Sequence, residues 1–184
     1  MRAGFQVHDP ETAPAEARPL LDEAAANLGK VPNLERVMSE APALLEGYVR
    51  LWDLFDRTTL SEVERQVVYQ AANVFNGCNY CRPWHAKLSV AAGLPRGEAL
   101  VLRDGGALAD PRLEALRQFT VRVLETRGRV PEAEVATFLE AGFTRTHALE
   151  VVLGIAVKVM SNYTNSLAGT PLDEEVKRWA PNEG

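Results

Sequence analysis

An all-α fold, a bundle of packed helices, follows from three features of this 184-residue chain. Apolar residues recur three and four positions apart along most of its length, as in helices with one buried face. No Asn-Gly hairpin joins alternating apolar and polar segments, so strand signals are sparse. Gly and Pro fall at regular breaks, where they stop and start helices. Hydrophobic residues make up 46% of the chain, enough for a packed interior and too many for disorder.

The elements follow in order. Residues 1–12 read as an extended arm. "PAEARPLLDEAAANLG" reads as a helix stopped by Gly29, and Asn33 is placed to cap a short helix through Met38. Residues 42–56 put Leu44, Leu45, Tyr48, Leu51, Trp52 and Phe55 on one face, which makes an amphipathic helix. Ser61 followed by Glu64 is a capping box for a helix to about Phe75. Gly77 ends that helix, and the next runs from near Asn79 or Tyr80 to Gly93. A short helix follows at 96–103. Asp110-Pro111 opens a helix ended by Gly128, and Pro131 opens one ended by Gly142. Thr144 caps the last helix, where Leu149, Val152, Ala156, Met160, Tyr163 and Leu167 keep helical spacing to residue 167. No composition shift marks a boundary, so residues 1–184 read as one domain with a core motif at 61–93.

The net charge of −5 and the lack of a Lys/Arg run disfavour nucleic acid and polybasic membrane docking. The segments "AAGLPRGEAL" and "EAGFTRTHAL" echo each other; the second has a helix-turn-helix look, which the acidic balance argues against. The start has no apolar signal region. The most apolar run, "ALEVVLGIAVKVM", is too short to span a bilayer and contains Lys158. A cytoplasmic protein is expected. In that reducing compartment a cysteine pair points to catalysis or metal before a structural staple.

Both cysteines lie in "NGCNYCRPWH". On a helix, Cys78, Cys81 and His85 share a face, being three and four residues apart. Pro83 is tolerated only in a first turn, so Cys78 sits at the helix mouth and Cys81 in that turn. The positive end of the helix dipole and a nearby His both favour thiolate, the reactive form. Three readings compete: two small buried hydrophobes with an unrelated His, a metal site, or a redox dithiol. Structural zinc wants a fourth ligand; His8 and His147, with no paired spacing, do not supply one. The dithiol reading needs neither metal nor cofactor.

"LSEVERQVVYQAANVFNGCNYCRPWHAKLSVAAGL" resembles the core of the AhpD-like alkylhydroperoxidases of the carboxymuconolactone decarboxylase superfamily, and the resemblance extends over roughly residues 20 to 175. It implies an AhpD-like helical bundle, homo-oligomers, and peroxide reduction by the thiol pair with a disulfide as product. Decarboxylase members lack the pair, which favours the peroxidase side. The family also implies a proton relay from a glutamate, twelve residues before the first cysteine, to the histidine. That position here is Gln66, which cannot accept a proton at neutral pH.

The substitution leaves two routes: Glu62, one turn away, as a base acting through water, or a relay that runs on His85 alone. Glu62, Gln66, Tyr69 and Asn73 form a polar stripe that either meets solvent or lines the site, opposite Val67, Ala71, Val74 and Phe75. The expected chemistry has His85 take the proton of Cys81, a thiolate attack a hydroperoxide, and the second cysteine close a disulfide that an external dithiol or thiol protein reduces. The order of attack leans to Cys81 over Cys78. Tyr80 and Trp84 are packing residues or an apolar wall. A general disulfide reductase and a metal-holding oligomeric protein are the alternatives. The last helix is apolar nearly all round from Ala148 to Met160, so burial on every side is expected, with a dimer, trimer or hexamer.

Overall fold

The structure, a computed structural model, describes residues 1–181. Its helices are α1 (Arg18–Leu28), α2 (Asn33–Met38), α3 (Pro42–Asp56), α4 (Glu62–Phe75), α5 (Cys81–Ala91), α6 (Arg96–Arg103), α7 (Pro111–Thr126), α8 (Glu132–Glu140) and α9 (Arg145–Ala168). Short 3₁₀ turns cover Ala15–Ala17 and Glu174–Trp179. No strand occurs among the described residues, so the fold is all-α. Nor is any described helix long and apolar enough to cross a membrane.

The starts and stops follow the side chains that satisfy free backbone groups. Ser61 Oγ accepts from the Glu64 N–H at 3.3 Å, and Glu64 Oε2 accepts from the Ser61 N–H at 2.8 Å. Asp110 Oδ1 accepts from the Arg112 and Leu113 N–H groups at the head of α7. At the head of α9, Thr144 Oγ1 accepts from the His147 N–H while His147 Nδ1 accepts from the Thr144 N–H. Asn33 is not the cap of α2. It is the first helical residue, preceded by extended Pro32, and its N–H donates to Asp173 Oδ1 at 3.2 Å. A carboxylate 140 residues away thus does the work expected of a local side chain.

The arm is also packed. The Arg2 N–H donates to the Ala168 carbonyl at 2.7 Å, and His8 is buried, with Nε2 3.0 Å from Glu40 Oε2.

α4 lies at the centre, against α5, α7 and α9. Both of its long faces are covered. Val67, Val68 and Ala71 are buried on one side, and Tyr69 and Asn73, from the polar stripe, are buried on the other. Phe75 is largely exposed, because α4 ends there and the chain turns away through Gly77 at φ +64°. α9 crosses α3 and α4 so closely at Gly154 that a Cβ there would stand 2.6 Å from the Phe55 ring and 2.7 Å from Val68. Any side chain would force the helices apart.

α9 departs most from expectation, since it is not buried all round. Leu149 is 73% exposed and Tyr163 60%, with Val152 and Leu167 also outward. The inward face of its second half carries Lys158, Ser161, Asn162 and Asn165, all buried. Polar groups are buried there because they have partners in the site below.

Candidate active site

α4, α5 and α9 meet around the two cysteines. The Cys78 N–H donates to the Asn73 carbonyl at 2.9 Å, which closes the end of α4, and the Cys78 carbonyl accepts from the Arg82 N–H at 3.1 Å, which opens α5. Cys78 is therefore the hinge between two helices, and Cys81 is the first residue of the second. Both thiols are free and buried. The Cys81 N–H donates to Cys78 Sγ at 3.2 Å. From α9, Asn165 Nδ2 donates to Cys81 Sγ at 3.3 Å and reaches Cys78 Sγ at 3.8 Å, while Ser161 Oγ lies 3.9 Å from Cys81 Sγ. Asn162 ties α9 to the end of α4: it donates to Asn73 Oδ1 at 2.8 Å and accepts from Asn76 Nδ2 at 2.9 Å.

Burial pushes the Cys81 thiol up, but the Cys78 thiol, the Lys158 ammonium and the polar donors of α9 outweigh it and bring Cys81 down to about 6. Cys78 moves the opposite way: sharing a hydrogen bond with Cys81, with burial adding, raises it. The pair is thus split into one sulfur that ionises readily and one that keeps its proton.

His85 shares the face of α5 with the thiols, as the spacing requires, yet neither ring nitrogen is given to Cys81. Lys158 Nζ lies 2.8 Å from Nε2, and Gln66 Oε1 lies 2.8 Å from Nδ1. An ammonium has only hydrogens to offer, so Nε2 is the unprotonated nitrogen and Nδ1–H donates to Gln66. The imidazole is neutral, and burial followed by the Lys158 charge holds it well below the usual histidine range. Neither ring nitrogen hydrogen-bonds Cys81 among the described residues, and the Lys158 charge acts on the Cys81 thiol through space, favouring its ionised form. Trp52 and Tyr69 enclose the group: the Lys158 ammonium lies 5.6 Å and 5.2 Å from their ring centres, and the Tyr69 ring is 5.0 Å from that of His85.

Of the proposed relay residues, Gln66 touches His85. Tyr69 packs with its face, and its buried hydroxyl has no hydrogen-bond partner. Glu62 is at the rim of the cavity, with no hydrogen bond to Gln66 or His85 among the described residues. A metal reading of Cys78, Cys81 and His85 fails on donor chemistry, because Lys158 occupies the one lone pair of the ring. The described residues hold no other cluster of three metal-binding side chains.

A cavity of about 670 Å³ opens onto Cys81, His85 and Lys158. Tyr48, Trp52, Tyr80 and Trp84 wall it, and Glu23, Asp53, Asp56 and Glu62 stand around it with Arg65. Two residues here lay outside sequence reasoning. Lys158 was visible as one of two charges, with Glu150, in an apolar helical run. Glu35, on α2, is buried on the cavity wall and carried no motif signal. Asp173 fixes that wall: it accepts from Trp84 Nε1 at 3.0 Å, from the Asn33 N–H and from the Tyr80 hydroxyl, while Tyr80 Oη accepts from the Leu34 N–H at 3.1 Å. The start of α2 and the start of α5 are thereby held together.

Residues 42–121 match the family model of the carboxymuconolactone decarboxylase family. No curated protein matches the sequence. Among solved structures, the chain is similar to an uncharacterized peroxidase-related protein with an alkylhydroperoxidase AhpD core from Ralstonia eutropha JMP134, at TM-score 0.83 and 22% identity over 94% of this chain and 93% of that one. A peroxidase-related protein from Silicibacter sp. TM1040 superposes at TM-score 0.78 with 17% identity, covering 94% and 92%. The debrominase Bmp8, as a cysteine-to-alanine variant in complex with 2,3,4-tribromopyrrole, superposes at 0.80 with 14% identity, covering 97% and 96%. The chain thus has the AhpD-like all-α fold, and within it residues 42–121 match the carboxymuconolactone decarboxylase family model.

Proposed function

We propose that the protein is a thiol-dependent peroxidase whose redox centre is Cys78 and Cys81. The observation that carries this is the geometry of the pair: two free thiols at the head of α5, the Cys81 N–H donating to Cys78 Sγ at 3.2 Å and Asn165 Nδ2 to Cys81 Sγ at 3.3 Å, with Cys81 lining the cavity beside buried Lys158. Cys81 thiolate attacks one oxygen of a hydroperoxide and breaks the O–O bond. The sulfur becomes a sulfenic acid, and the other oxygen leaves as an alcohol once it gains a proton. The Cys78 thiol then attacks the Cys81 sulfur, its proton leaves with the hydroxyl as water, and a disulfide forms. An external dithiol or thiol protein restores both thiols by exchange. The cytoplasm, where such reductants are abundant, suits this cycle.

The aromatic walls suit an apolar alkyl or aryl group, and the four carboxylates around the cavity favour a neutral substrate over an anionic one. The same walls favour a second reading, reductive removal of halogen from a flat aromatic ring. In that case the two thiols become a disulfide while the carbon–halogen bond is replaced by carbon–hydrogen and hydrogen halide is released. A panel of hydroperoxides and a bromopyrrole, assayed with a dithiol reductant, separates them. Alcohol formation that is lost in Cys81→Ser supports the peroxidase. Bromide release without peroxide turnover moves the assignment to dehalogenation.

The homo-oligomer belongs to the same reading. The outward row of Leu149, Val152, Tyr163 and Leu167 closes against a second copy, since an exposed apolar helix face of this length calls for cover. Light scattering should give more than the mass of one chain; a monomer at micromolar concentration contradicts it.

A further inference from the structure

The cycle above needs a proton for the leaving oxygen at the moment the O–O bond breaks, and His85 cannot give it. Its only N–H is bonded to Gln66, and its Nε2 carries no proton. Lys158 directs one N–H to that Nε2, and giving up a proton would remove the charge that favours the Cys81 thiolate. The position that would carry a relay carboxylate on α4 holds the amide of Gln66 instead. The one carboxyl group buried on the cavity wall is Glu35, 7% exposed, on the short helix α2 across from α4. Its Oε2 is buried and has no hydrogen-bond partner. An unpaired buried carboxyl oxygen disfavours the ionised form, so the group keeps a proton at the cavity wall.

We propose that Glu35 is the general acid of this site, donating its carboxyl proton to the oxygen that leaves when Cys81 cleaves a hydroperoxide. The supply of that proton is in place. Burial raises Glu35 to about 8, with Asp173 and Cys81 adding to the rise and Lys158 opposing it. The groups around it are Lys158 of α9, Cys81 and Tyr80 at the head of α5, Tyr48 of α3, and Asp173 of the C-terminal segment. At neutral pH the group is a carboxylic acid facing the cavity. After donation it is a carboxylate, and it regains a proton from solvent before the next turnover. The balance is one thiolate, one hydroperoxide and the Glu35 proton giving one sulfenic acid, one alcohol and one carboxylate. The rim acids Asp53, Asp56 and Glu62 are exposed, so none is set apart from solvent to hold a proton as Glu35 is.

This role rests on the peroxidase reading, and the leaving group tells the two apart. An alkoxide needs a proton to leave; the carboxylate expelled from a peracid does not. The wild type and Glu35→Gln are compared at neutral pH with cumene hydroperoxide and with peracetic acid. For cumene hydroperoxide kcat/KM should fall about a hundredfold, as for loss of a general acid, while the peracetic acid value should change less than about threefold. The wild-type cumene hydroperoxide rate should also fall as pH rises through about 8, the Glu35 value, and the Gln variant should lack that fall. An equal loss on both substrates, or no loss, overturns the role and leaves the peroxidase standing. A wild type inactive on both overturns the peroxidase and the role with it. If Glu35→Gln does not fold, the wild-type profile decides: an alkyl hydroperoxide rate flat through pH 8 overturns the role.

Discussion

The two walls of the cavity handle buried polarity in opposite ways. On the α4 and α9 side the charged and titrating groups form one chain: Gln66 accepts from His85, His85 accepts from Lys158, and Lys158 also faces two aromatic rings, while the neutral Tyr69 hydroxyl and Asn165 Oδ1 there have no partner. On the α2 side Glu35 keeps an oxygen without a partner. A closed chain of donors and acceptors fixes one protonation state and orients a charge; it cannot also release a proton without breaking. An open carboxyl can. With Gln at position 66 the histidine bonds Gln66 and Lys158, and in the proposed mechanism proton delivery falls to Glu35 on α2.

Removing the open group should have the largest effect on stability. Glu35 in the folded protein holds its proton up to about 8, against an ordinary value of 4.5. Between these values the native state binds a proton that the unfolded state has lost, so wild-type stability falls as pH rises from about 4.5 towards about 8. Gln has no such dependence. The stability of Glu35→Gln relative to wild type should therefore grow by about 3 kcal/mol between pH 4.5 and pH 7, taking about 1.4 kcal/mol per pH unit. Denaturant unfolding at the two pH values measures it. A constant difference would mean that Glu35 ionises normally and that the two walls do not differ.

Breaking the closed chain should cost reactivity. In Lys158→Met the charge beside Cys81 is gone, and burial still keeps His85 neutral. The apparent pKa of Cys81 should rise by about one unit or more, so alkylation in mildly acid solution slows about tenfold. An iodoacetamide rate profile that does not move would show that Lys158 only supports the imidazole. Replacing Gly154 by Ala tests how tightly this wall is placed. The clash with Phe55 and Val68 should cost about 1–3 kcal/mol on unfolding and loosen Lys158 one turn away.

The thiol helix was legible because its information is local. Gly77, Pro83 and the spacing of Cys78, Cys81 and His85 dictate a turn, a first helical turn and a shared face. The capping box at Ser61 and the cap at Thr144 read correctly for the same reason, while the part of His147 in closing a second box did not show in the sequence. What escaped depends on contacts distant in sequence. The cap of α2 comes from Asp173, and the partner of His85 is Lys158, 73 residues on. In α9 burial on every side was expected, yet Leu149, Val152, Tyr163 and Leu167 point outward, and the polar row at 158, 161, 162 and 165 points in. Spacing identifies two faces of a helix; it does not say which one meets the core when the core contains a polar site.

The central claim is that Cys78 and Cys81 form a peroxide-reducing dithiol with Cys81 as the attacking sulfur. The most direct measurement treats reduced protein with one equivalent of cumene hydroperoxide and follows free thiols and intact mass. The account predicts loss of both thiols per chain, a mass lower by two hydrogens, one equivalent of alcohol, and a stable sulfenic acid on Cys81 when Cys78 is replaced by Ser. Two thiols that remain titratable after excess peroxide, or a sulfenic acid that forms on Cys78 in Cys81→Ser at the wild-type rate, would contradict it.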